Sequence, residues 1–168
     1  KKDVERFLWF TAHEHLPASM DRVLYIDALD TLAVDDMSPF YDGDFSGKLV
    51  RCCREINQFS KLPSITVPSA RRFFEDTGDA ETLKRISNGL FNSGSIVLNL
   101  NRFRAERLGF EHYAETAHWA AKEMDLRFGD QGLFSLTHGS DFLLCDDRYN
   151  TRFFNPRSRI PADPALIH

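Results

Sequence analysis

"RVLYIDALDTLAVDD", residues 22–36, opens with the apolar run Val23, Leu24, Tyr25 and Ile26 and closes on acids at Asp27, Asp30, Asp35 and Asp36. A short continuous apolar run bounded by turn formers reads as a strand covered on both faces. In open α/β sheets ligands sit beyond the carboxyl ends of the strands, and Asp27 and Asp30 fall at that place. A carboxylate there is costly unless a cation or hydrogen-bond donors neutralise it, and a second one adds like-charge repulsion. A divalent cation answers both difficulties, and oxygen ligands suit Mg2+ or Mn2+. The same two aspartates also suit turns and helix caps, so the residues alone leave both readings open.

Working outward, residues 4–16 carry Val4, Phe7, Leu8 and Phe10 at near-helical spacing, and Pro17 marks the stop. "KLVRCC" at 48–53 follows the turn-rich "DGDFSG" and reads as a second strand, with "GSIVLNL" at 94–100 as a third. Residues 102–124 are amphipathic and read as two helices broken near Gly109. "DQGLFSLTH" predicts a short helix, "DFLLC" a strand, and "RYNTRFF" a strand or extended chain. Residues 57–69, with Pro63 and Pro68, read as loop, while 70–90 mix helical residues with the interruption "TGD" at 77–79. Apolar strands alternating with helical stretches predict one α/β domain over residues 1–168, with a largely parallel sheet and flanking helices.

Composition narrows the function. The 168 residues carry 21 basic and 25 acidic side chains, a net charge of −4, so no electrostatic footprint for a nucleic-acid backbone is present. The opening "KKDVERFLWF" does not fit a signal peptide and no long apolar span follows, so secretion and membrane insertion are not expected. Of the three cysteines, Cys52 and Cys53 are adjacent, which alternation along a strand sends to opposite faces; they read as small buried hydrophobes in a reducing compartment.

Other clusters carry less. "HEH" at 13–15 places its histidines two apart, which on a helix point away from each other, so a metal reading is weak. "ETAH" at 115–118 is a single Glu-x-x-His, whereas a di-metal bundle needs two copies and further acids. Phe110, Tyr113 and Trp119 recur at near-helical spacing and read as core. Asp146 and Asp147 read as a strand end in solvent, and Lys48 and Arg51 as surface charge.

Taken in order, "RVLYIDALDTLAVDDMSPFYDGDFSGKL", "LFNSGSIVLNLNRFR", "FGDQGLF", "DDRYN" and the terminal "ALIH" resemble the retaining glycosyltransferases of family 8, over nearly the whole chain. In that family a "YLDAD" strand carries a DxD metal motif, "FNSG" precedes a strand ending in "NL", "DQD" lies near the donor sugar, and a late "HxxG" supplies a histidine ligand. The resemblance implies a GT-A type, Rossmann-like mixed sheet and transfer of a hexose from a UDP-sugar to a saccharide acceptor. It assigns Asp27, Asp30 and His168 to Mn2+, or to Mg2+, with imidazole favouring Mn2+. It places Asn92 and Gly94 at the sugar site, and Asp130 and Gln131 on the donor-sugar hydroxyls, with Gln131 near the reacting face. It also implies a cytoplasmic location, peripheral to an inner membrane and in lipopolysaccharide synthesis, and a chain lacking the N-terminal nucleotide-binding strands, because nothing before Lys1 supplies them.

Three positions depart from the family pattern. DxD is here D-A-L-D, so either Asp30 serves as the second acid across an insertion or Leu29 has replaced it; on a regular strand Asp30 faces away from Asp27 unless the chain turns. Trp9 stands where the family carries arginine, and Gly132 where it carries an acid. Those losses support a competing reading as a non-catalytic homologue acting in binding or assembly. "LYIDALDTL" also resembles the DxDxT motif of haloacid-dehalogenase-like phosphatases, with the same spacing defect and without support from the later motifs.

Overall fold

The structure is a computed structural model that describes residues 5–54, 76–78, 91–124, 129–139, 141–152 and 161–168. A 3-10 helix, Glu5–Thr11, runs into helix α1, Ala12–His15, and ends before Pro17. Strand β1, Arg22–Ile26, then leads through a turn to β2, Leu32–Ala33, helix α2, Ser38–Asp42, and β3, Val50–Arg54. Strand β4, Phe91–Asn99, is followed by helices α3, Leu100–Ala105, and α4, Phe110–Met124, which flank Gly109 as the spacing predicts. Helix α5, Asp130–His138, strand β5, Phe142–Leu144, a second 3-10 turn, Asp147–Asn150, and β6, Leu166–Ile167, complete the order. The readings of residues 57–69, most of 70–90, and Phe153 with Phe154 lie outside the described residues.

The main sheet has the order β1-β4-β3-β5, and β2 pairs antiparallel with β6. The sheet is mixed, but the expectation of largely parallel pairing needs correction: β1 with β4 and β3 with β4 are antiparallel, and β3 with β5 is parallel. Apolar runs report that both faces are covered; they do not report strand direction, which the connections set. A second correction concerns β1, whose five residues are all half-buried. It is the edge strand of the described sheet, and β4 is the one buried nearly throughout.

Alternation along β3 and β4 builds two cores. Cys52, Ile96 and Leu98 join Trp9, Phe10, Phe103, Tyr113 and Phe134 on one face. Cys53 and Val97 join Phe40, Phe45 and Tyr149 on the other. The adjacent cysteines therefore do split across the sheet, with a register shift between them.

Two of these readings change, and a third gains detail. Arg51 is buried, because its guanidinium donates to the carbonyls of Phe40 and Asp44 at 3.0 and 2.5 Å around the end of α2. Tyr113 is core, stacked on Phe10, but Phe110 and Trp119 are 59% and 36% exposed, since helical spacing alone does not say how wide a stripe its neighbours cover. Asp146 is exposed just past β5, as expected, and also caps the second 3-10 turn, accepting from the Arg148 N–H at 2.9 Å.

Candidate active site

The carboxyl end of β1 is held in place by β4. Ile26 pairs with Ser95, and the backbone N–H of Asp27 donates to the Gly94 carbonyl at 3.0 Å, carrying the ladder one residue past the strand. The Asp27 carboxylate accepts from the Tyr25 hydroxyl at 2.7 Å, two residues back on the same face. Burial, and then this bond to Asp27, push the Tyr25 phenol well above its ordinary range, so it stays a donor. Asp27 is thus held by a phenol and not spent as a turn cap.

The chain turns over residues 28–30, and the Thr31 hydroxyl closes the turn on the Asp27 carbonyl at 2.5 Å. Leu29 is fully exposed, while Asp30 swings back toward Asp27. The turn therefore brings Asp30, and not Leu29, beside Asp27, an approach that a regular strand would not allow. His168 arrives on β6: the N–H of Thr151 donates to the Leu166 carbonyl, and that of His168 to the Thr151 carbonyl, both at 2.8 Å. Side-chain ligand atoms of Asp27, Asp30 and His168 lie within 4.8 Å of one another, the one such group among the described residues. His168 Nε2 stands 3.5 Å from Asp30 Oδ2. Two carboxylates and an imidazole fit a divalent cation of the Mn2+ type, with coordination positions left over for water and phosphate oxygens.

Gly94 belongs to this group for a reason the sequence does not state. A Cβ there would lie 2.1 Å from His168 Cε1, so the missing side chain is the space the imidazole occupies. Asn92 is 5% exposed, and its carbonyl oxygen accepts from the Gly94 N–H at 2.9 Å and from Asn150 Nδ2 at 2.8 Å. Asn150, missed in the sequence reading although "DDRYN" contains it, lies 2.9 Å through Oδ1 from His168 Nδ1.

Helix α5 brings the other predicted pair. Gln131 Oε1 accepts from the Ser93 N–H at 3.1 Å, which fixes the amide against the start of β4. Asp130 accepts from the Trp9 indole at 2.9 Å, so the tryptophan standing in the arginine position serves as the partner of this acid. A cation is nevertheless close. An open cavity of about 440 Å3 is lined by Glu5, Arg6, Tyr25, Asp27, Leu29 and Asp30. Arg6 sits three residues before Trp9 in the 3-10 helix, whose three-residue turn puts both on one face. Sequence reading passed over Arg6 because only motif positions drew attention.

A family model for glycosyl transferase family 8 matches residues 5–168. No curated protein sequence matches the chain. Among solved structures, the galactosyltransferase LgtC, crystallised with donor and acceptor sugar analogs, superimposes with a TM-score of 0.65 at 20% identity, over 96% of this chain and 56% of its own. Mouse xyloside xylosyltransferase 1 gives 0.66 at 19%, over 98% and 62%, and GlyE of Streptococcus pneumoniae TIGR4 gives 0.65 at 16%, over 96% and 36%. The chain therefore spans about 56% to 62% of the first two of these proteins, whose GT-A type fold it shares. With that match running through β1, β4, α5 and the terminal histidine, the chain belongs to glycosyl transferase family 8.

Proposed function

We propose that the protein containing this chain is a metal-dependent retaining glycosyltransferase that moves a hexose from a UDP-sugar to a saccharide acceptor. The observation that carries this reading is the convergence of Asp27, Asp30 and His168 from opposite ends of the chain. A divalent cation, when bound, neutralises charge developing on the departing diphosphate. The chain's own residues do the rest. Tyr25 orients the Asp27 carboxylate through its hydroxyl. Arg6 places a second positive charge on the cavity wall that the two acids share, suited to phosphate oxygens. Gln131, oriented by the Ser93 N–H, and Asp130, oriented by Trp9, offer polar groups to sugar hydroxyls.

A neutral amide at position 131 is a poor nucleophile, which favours displacement on one face of the sugar, with the leaving phosphate assisting deprotonation of the acceptor. Family membership displaces the phosphatase reading. Titration of the full-length protein with UDP, with and without Mn2+, tests the proposal. Binding that needs Mn2+ and disappears in Asp27→Asn is expected. UDP binding indifferent to chelator, or no UDP binding at all, overturns it, and the latter result favours a non-catalytic homologue.

A further inference from the structure

The hydrogen bonds around His168 form a chain whose polarity can be derived from one end. The Gly94 backbone N–H can only donate, so the Asn92 atom facing it at 2.9 Å is the carbonyl oxygen. That oxygen also faces Asn150 at 2.8 Å, so the Asn150 atom there is the amide nitrogen, a donor. The other end of the Asn150 amide is then its carbonyl oxygen, 2.9 Å from His168 Nδ1, and a carbonyl oxygen can only accept. His168 Nδ1 must carry the proton. Asn92, Asn150 and His168 are 5%, 2% and 8% exposed, so water is a poor substitute partner for these groups.

With the proton fixed on Nδ1, the lone pair of an uncharged His168 sits on Nε2. That atom faces Asp30 Oδ2 at 3.5 Å, an acceptor set against an acceptor, which a cation between them reconciles. We infer that Asn150, aligned by Asn92 and Gly94, is a positioning residue that locks His168 in the Nδ1–H tautomer and presents Nε2 as a ligand. Asn150 touches no substrate in this role; it acts through the imidazole, as groups behind metal-ligating histidines do. The inference deepens the metal-site reading of the proposed function and rests on it for its purpose, though not for its geometry.

Two-bond 15N–1H correlation spectra of the metal-free full-length protein near pH 8 read the tautomer directly, with His168→Gln assigning the signal. A proton on Nδ1 is expected in the wild type, the reverse of the form imidazole prefers in water. Asn150→Ala should release the ring to the Nε2–H form and weaken Mn2+ affinity about tenfold by paramagnetic titration. Asn92→Asp keeps the acceptor oxygen and should hold the Nδ1–H form, whereas Asn92→Ala, which leaves Asn150 in place but unaligned, should mix the two. A wild-type ring protonated at Nε2, or an Nδ1–H form that survives Asn150→Ala, overturns the inference even where a variant is unstable. An Nδ1–H ring in a wild type that binds no Mn2+ upholds the tautomer lock and defeats the metal reading instead.

Discussion

At the scale of single residues, the site is decided by space as much as by charge. Gly94→Ala would drive a methyl group to within 2.1 Å of the His168 ring. Overpacking of this kind costs about 1–3 kcal/mol in stability. The larger expected effect is on Mn2+, whose affinity should fall at least tenfold as the imidazole is displaced, measured by paramagnetic titration beside a urea melt. Arg6 gives a contrasting case, since it lies exposed on the cavity wall. Arg6→Gln should raise the Kd for UDP in the presence of Mn2+ roughly tenfold, equivalent to about 1.4 kcal/mol. An unaltered Kd in calorimetry would show that Arg6 does not contribute to nucleotide binding.

Elements are held by buried polar groups whose loss is structural. Arg51 on β3 ties the end of α2 through the carbonyls of Phe40, Asp44 and Pro39. Gly43 is glycine because a Cβ would overlap that guanidinium. Arg51→Met keeps much of the bulk but strands these carbonyls, and should cost about 2–4 kcal/mol in chemical denaturation. Helix α1 carries a pH response. Burial lowers the His13 pKa from its ordinary 6.5, with Glu14 opposing and Arg104 and His15 adding to the shift. Because the unfolded chain binds this proton more readily, the contribution is fully present above pH 6.5 and is lost as pH falls from there toward the depressed native value. His13→Phe should therefore show a shallower decline in unfolding free energy than wild type across that window, in melts taken at matched pH values.

For the whole molecule, the candidate metal site joins residues 27 and 30 to residue 168, and so ties the first strand to the last. A ligand that binds only the folded state at 100 times its Kd stabilises it by about 2.7 kcal/mol. For a chain of this length that corresponds to a rise in Tm of about 5–10 °C. Mn2+ with UDP should produce such a shift by calorimetry, and His168→Ala should abolish most of it without lowering the metal-free Tm comparably. Among the described residues no helix is long and apolar enough to cross a membrane.

Much of this was legible in residue order. The apolar runs at β1, β3 and β4, the break at Gly109, the helix at 130–138 and the opposed cysteines all follow from local periodicity and turn chemistry, which depend on neighbours a few positions away. Asp27 and Asp30 read equally as metal ligands or turn caps from their residue types, and His168 entered only through a family resemblance carried by short motifs in sequence order. Tertiary structure alone decided three things. Strand direction came from connections, so a sheet expected to be mostly parallel has two antiparallel pairings among its three described ones. The approach of Asp30, and not Leu29, to Asp27 came from a turn pinned by Thr31 and Gly94. The state of His168 came from Asn92 and Asn150, which lie 58 residues apart and meet only in the fold. Long-range contacts fix which atoms face each other, and hydrogen-bond polarity then follows from those contacts, a property no local window of sequence contains.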